Sequence, residues 1–148
     1  MLTEQASQGI AIPTTMVPPE STSSTVTTGG IDTVKFRRVM FIVGVGTFGS
    51  SATVDGKLQS SPDNSTWTDI AGSNLTQLLA AGGNNKVAIM EISMAMLASL
   101  APTARYVRGS VTVGTAATLV TIIPLGVDAA QKPGSQFNDA SVVQKVVL

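Results

Sequence analysis

The sequence predicts an all-β fold, an antiparallel β-sandwich or jelly-roll-like barrel with an extended N-terminal arm. Three observations predict it. Roughly seven or eight short apolar stretches recur at about ten-residue spacing, with turn signals between them. Thr, Ser, Val, Ala and Gly dominate, while only 12% of residues are charged, about half the usual share. Several stretches alternate apolar and polar with a period of two, as a half-buried strand does. A length of 148 residues suits one domain with a sizeable core.

Residues 1–30 differ from the rest of the chain. Pro13, Pro18 and Pro19 oppose helix and central strand, and 21–28 is nearly all Ser and Thr. The segment reads as an extended arm held against its own domain or a neighbouring chain, adding little to an autonomous core. The domain proper is expected over 31–126, with a C-terminal loop and strand over 127–148.

The stretch from Val34 to Val43 begins polar and becomes continuously apolar, like a strand entering a covered layer. Arg38 lies in phase with Val34, Phe36, Met40 and Ile42, which predicts a bulge or a strand start there. Next comes Gly44-x-Gly46-x-x-Gly49, the glycine spacing of a dinucleotide-binding turn. That chemistry needs a strand before the glycines and a helix after them, so that the helix N-terminus and free N–H groups hold a pyrophosphate. Here Ala52, Val54, Gly56 and Leu58 alternate with Thr53, Asp55, Lys57 and Gln59, which predicts a strand instead. The glycines are therefore expected in a hairpin connection, supplying positive φ or a bulge.

Residues 60–65, Ser-Ser-Pro-Asp-Asn-Ser, form a dense turn signal. Thr66 to Ile70 should return as the hairpin partner, with Trp67, the single tryptophan, as a buried core anchor. Leu75 to Leu79 is ambiguous, and 82–85 is a turn. Lys86 to Ile92 predicts a strand with apolar residues on both faces. Met94 to Leu100 predicts a helical turn ending before Pro102. Arg105 to Val113 alternates, with Val107, Val111 and Val113 inward, and Thr118 to Leu125 should be its partner across 114–117. The segment 127–139 reads as loop, and Val142 to Leu148 as a last strand.

Chemistry is scarce. There are no cysteines and no histidines, which removes thiol nucleophiles, disulfides, imidazole bases and the usual zinc ligands together. Nine basic and nine acidic residues cancel, so no field steers the chain to nucleic acid or an anionic membrane. No window is long and apolar enough for a spanning helix, and the start lacks a signal-peptide pattern. Asp55 and Asp69 are the candidate carboxylate pair, expected across a hairpin but on its solvated face. Asp63-Asn-Ser65 reads as an Asx turn rather than a calcium loop, and Met90, Met94 and Met96 as filling core or interface gaps rather than binding metal. No enzyme, cofactor or metal site is expected. The candidate partner-binding residues are Ile12, Pro13, Met16, Val17 and Pro18 of the arm, with Arg37 and Arg38 placed to meet an acidic partner. A surface poor in charge favours burial against other proteins.

The stretch 52–70, ATVDGKLQSSPDNSTWTDI, and the stretch 104–114, ARYVRGSVTVG, together resemble small β-sandwich virion proteins of tailed bacteriophages, including head decoration (cement) proteins. The resemblance covers about residues 31–126; the arm, the methionine-rich insert at 90–100 and the tail after 126 fall outside it. It implies binding to the outer shell of major capsid protein, on the virion, after synthesis in the host cytoplasm. It also implies self-association, as a dimer or trimer. A tail or head–tail connector component is the second reading, and a carbohydrate-binding module a third that needs an exposed aromatic row.

Overall fold

The computed structural model describes residues 4–147. Residues 1–3 of the expected arm and Leu148 of the expected last strand lie outside the described residues. Among the described residues eleven strands form two antiparallel sheets packed face to face as a sandwich, with no closed barrel. The first sheet holds β1 (Ile10–Ala11), β2 (Val17–Thr22), β5 (Phe36–Val45), β9 (Lys86–Ser93) and β11 (Thr118–Ala129). Its order is β1-β11-β5-β9, and β2 pairs farther along the same edge of β11 as β1. The second sheet holds β3 (Thr25–Thr27), β4 (Ile31–Asp32), β6 (Thr53–Ser61), β7 (Thr68–Asp69), β8 (Leu78–Leu79) and β10 (Tyr106–Gly114). There β10 lies between β6 on one side and β3 and β4 on the other, while β7 and β8 cap the outer edge of β6.

Alternation places the core. In β6, Val54, Gly56 and Leu58 face inward, and in β10 Val107, Gly109, Val111 and Val113 do so. In β5 the inward set is Phe36, then Val39, Phe41, Val43 and Val45; the phase changes at Arg37 and Arg38, both exposed. Phe41 crosses the gap between layers and lies over Gly109, where an added Cβ would sit 2.9 Å from its ring. Each such apolar side chain removed from water contributes about 1.5–3 kcal/mol.

Three connections differ from expectation. The glycine-rich link between β5 and β6 joins strand to strand, but it crosses from one sheet to the other rather than closing a hairpin. Its positive φ falls on Ser51. Gly49 serves close approach instead, since a Cβ there would meet the Ala117 carbonyl oxygen at 2.5 Å. No helix comes after it, so no pyrophosphate cradle forms. Likewise β10 and β11, expected as hairpin partners, lie in different sheets, and the turn between them carries Thr115 at φ 70. The 60–65 turn does return the chain onto β6, but only Thr68 and Asp69 pair with it. Asp63 organises that turn by accepting the N–H groups of Ser65 and Thr66 and the Ser61 hydroxyl. Those bonds hold its carboxyl far below the usual carboxylate range.

The N-terminal arm lies against its own domain, one of the two placements expected, but it contributes to the core where little was expected. Short helix α1 (Ala6–Gly9) and strands β1, β2 and β3 lie against the chain's own sheets, with Ala11 and Val17 in the core. Thr28 is buried; its N–H donates to the Gly109 carbonyl, and its hydroxyl accepts the Gly109 N–H at 3.1 Å. Pro18 and Pro19 fit because β2 pairs with β11 alone and the register slips between Val17 and Glu20, so neither proline has a ladder partner. At the other end, β11 continues to Ala129, and Phe137 closes on Phe36 edge to face at 5.6 Å. Residues 142–147 form no strand. Helices α2 (Ala80–Gly83) and α3 (Met94–Leu100) flank β9; the Ser93 hydroxyl caps α3 by accepting the Met96 N–H.

Candidate interaction surface

The outer face of the first sheet is apolar where a solvated sheet face is ordinarily polar. The register lines up Ile89 of β9, Ile42 of β5 and Ile123 of β11 in one row across three strands. The next row is Glu91, Met40 and Leu125, and the row on the other side is Val87, Gly44 and Thr121. Val87 and Ile89 are 65% and 57% exposed. A hollow of about 350 Å³ lies between Val87 and Thr121, walled also by Gly44, Leu119 and Pro19; the Thr121 methyl reaches over Gly44, 2.8 Å from where a Cβ would be. An apolar strip of this kind is a candidate interaction surface, being contiguous rather than a scatter of single exposed residues. Charge confines it at one end: Arg38 lies 3.6 Å from Asp128 and 4.0 Å from Glu91.

The outer face of the second sheet is polar and self-satisfied. The Arg108 guanidinium carbon lies 4.3 Å from the centre of the Trp67 ring, and its Nε donates to Gln59 at 2.9 Å. Gln59 and Lys57 in turn donate to Asp69, each at 2.7 Å. The hydrogen bond from Lys57, then that from Gln59, hold the Asp69 carboxyl below its ordinary value. Burial pushes the Arg108 guanidinium down. Trp67 is therefore half-buried on the outside of the sandwich, not the core anchor expected: it lies just before β7, in phase with Asp69, which stands opposite the outward Gln59. Arg105 similarly covers Tyr106, at 5.4 Å. Both aromatic faces are occupied by guanidiniums, so they offer no stacking row to a sugar.

Asp55 and Asp69 do not form a pair. Asp69 stands opposite Gln59, four residues along β6 from Asp55, about 13 Å away in an extended strand. Asp55 instead accepts both bonds from the Gln77 amide, at 3.0 and 3.1 Å. Among the described residues no cluster of acidic ligands is arranged to hold a metal ion. No helix among them is long and apolar enough to cross a membrane.

This two-layer fold has a counterpart among solved structures. The PBSX exported protein XepA, known from a crystal structure, superposes with a TM-score of 0.55 at 13% sequence identity, over 99% of this chain and 44% of that one. The chain thus spans less than half the length of that protein, and the likeness is one of fold. No family model and no curated protein matches the sequence.

The seven residues singled out from sequence are spread over the molecule. Ile12 is half-buried, its N–H donating to Asn138 and its carbonyl accepting from Asp139. Pro13 and Met16 are half-buried in the same crossing segment. Val17 faces the core at 4% exposure, so its side chain holds β2 in place and is closed to a partner. Pro18 is exposed on the edge strand. Arg38 belongs to the rim of the apolar face, while Arg37 borders a separate cleft of about 690 Å³ beside α1, near the Lys132–Glu4 ion pair. Arg37, Arg38, Arg105 and Arg108 do not cluster. The apolar rows were only half visible in sequence: Lys86 to Ile92 displayed apolar residues on both faces, but the neighbours of Ile89 depend on register.

Proposed function

We propose that this chain is a structural virion protein of a tailed phage, binding the outside of the capsid and stabilising contacts between major capsid protein subunits. One observation carries the reading, the apolar row Ile89–Ile42–Ile123 on an otherwise complete sandwich. A rigid sheet face of this chemistry suits another protein surface, and copies arrayed around a shell reinforce one another through effective concentration. The fold shared with a phage PBSX protein supports the phage context. The low charge supports burial against protein rather than nucleic acid or lipid headgroups. No catalytic step belongs to the reading, since Asp55 and Asp69 each serve structural partners. The arm residues act by presenting Pro18 and the β2 edge beside the same face.

Purified undecorated heads and tails, incubated separately with the protein and pelleted, test it. Binding to heads that saturates, and that is lost in the Ile42→Asp/Ile123→Asp variant while its circular dichroism is retained, supports the decoration reading. Binding to tails alone replaces it with the tail-component reading. Binding to neither sinks both.

A further inference from the structure

We infer that residues 142–147 of one copy add as a strand to the free edge of β9 in a second copy of this chain. Two unsatisfied features meet in that contact. The first is the segment Val142-Val-Gln-Lys-Val-Val147, rich in a β-branched residue that favours strands, yet without strand pairing. Val143 is 94% exposed and Val146 72%. The second is β9 itself. It pairs with β5 on one side only, runs for eight residues without Pro or Gly, and carries Val87 and Ile89 outward. The opposite edge of the sheet is blunted by Pro18, Pro19 and Glu20 of β2. An edge of that length, free of Pro and charged only at Lys86 and Glu91, is a template for strand addition. Beside it runs a groove of about 290 Å³ lined by Leu75, Ile92, Met96 and Leu100, ready for the inward side chains of an added strand.

The acceptor must belong to another copy. The segment leaves the body beside β1, where the Asp139 N–H donates to Ile12 at 2.7 Å. From β1 to β9 the sheet order crosses three strand spacings, about 14 Å. Six extended residues span about 20 Å, so crossing its own sheet would leave too little chain to pair. Charge selects a register. Setting Lys145 opposite Glu91 in the antiparallel sense places Val147 beside Ile89 on the outer face and Val146 beside Met90 over the groove. Lys145 then exchanges its bond to the Ser135 hydroxyl for Glu91. Reciprocal exchange closes a two-fold dimer, and one-way exchange closes a ring. Such an exchange is separate from capsid binding and holds whatever the outer face meets.

The full chain, which has no cysteine of its own, is suited to the test. Sedimentation should show concentration-dependent oligomers, and removal of 142–148 should leave a monomer with unchanged circular dichroism. Oxidising a mixture of Ile89→Cys and Val147→Cys variants should link one to the other, while neither variant alone links efficiently. Lys145→Glu and Glu91→Lys should each weaken association roughly two- to fivefold, and the two variants mixed or combined should recover it. A full chain that stays monomeric at about 100 μM overturns the inference, since strand exchange at biologically useful strength requires tighter binding. So does oligomerisation that survives the truncation, or Ile89→Cys linking only to itself, which would identify a β9–β9 seam.

Discussion

Arg108 lies over Trp67, with 4.3 Å between the guanidinium carbon and the ring centre, on the solvent side of β10. The tryptophan is held by a cation and a neighbouring loop rather than by the core. An added Cβ at Gly30 would stand 2.8 Å from its ring, so that glycine makes room for it. Trp67→Ala should then cost about 1–2 kcal/mol, the scale of a partly desolvated cation–π contact plus modest packing. Urea denaturation measures it, and a loss above about 3 kcal/mol would mean that the ring anchors the core after all.

Phe41 is the better anchor. It is fully buried between the layers and lies against Gly109. Phe41→Ala should cost about 3–5 kcal/mol, as large core truncations do, and Gly109→Ala should be destabilising because β10 must move away from the ring. Equal stability of Gly109→Ala and the parent protein would show that the gap is loose.

Gly126 offers a sharper probe of packing, because the Phe36 ring occupies the space where its Cβ would be. Gly126→Ala should destabilise by about 1–3 kcal/mol through overpacking. Adding Phe36→Leu should recover part of that loss, giving a coupling between the two sites in a double-mutant cycle. Strict additivity would show that the two positions do not press on each other.

Removal of residues 1–30 should abolish the cooperative thermal transition or lower it sharply. The segment supplies Ala11 and Val17 to the core, pairs with β11 and β10, and shields Gly109 through Thr28. Differential scanning calorimetry of the truncated protein decides the matter; an unchanged melting temperature would restore the detachable arm expected from sequence.

The Asp32–Arg105 pair should give the fold an acid dependence. Burial pushes the Asp32 carboxyl up, but the hydrogen bonds from Arg105 and the Val34 N–H, with the charges of Arg105 and Lys35, more than offset it and hold it below its ordinary value. A carboxyl lowered in the folded state contributes stability above its unfolded pKa, near 3.9, and loses it as pH falls through the folded value. Arg105→Ala should therefore lower the melting temperature slightly at pH 7 and by progressively less as the pH falls below the unfolded value, with added salt shrinking the difference. A penalty that stays constant on acidification would assign the effect to packing over Tyr106.

Local pattern is enough to settle the strand class and most strand faces. A side-chain period of two leaves Val54, Gly56 and Leu58, or Val107, Val111 and Val113, no choice but one common side. The same pattern disposes of the dinucleotide motif, since the alternation after Gly49 is incompatible with a helix there. What it does not contain is the partner of each strand. The seven-residue link from β5 to β6 crosses between layers while the six-residue link from β6 to β7 is a hairpin, and a local pattern does not distinguish the two. For the same reason the first thirty residues, locally polar and proline-rich, become sheet edges: pairing energy there comes from β10 and β11, some hundred residues away. The candidate surface divides in the same way. Lys86 to Ile92 announces two apolar faces, but the row joining Ile89 to Ile42 and Ile123 exists only once three distant strands settle in register, and that register is chosen by core burial on the other side of the sheet.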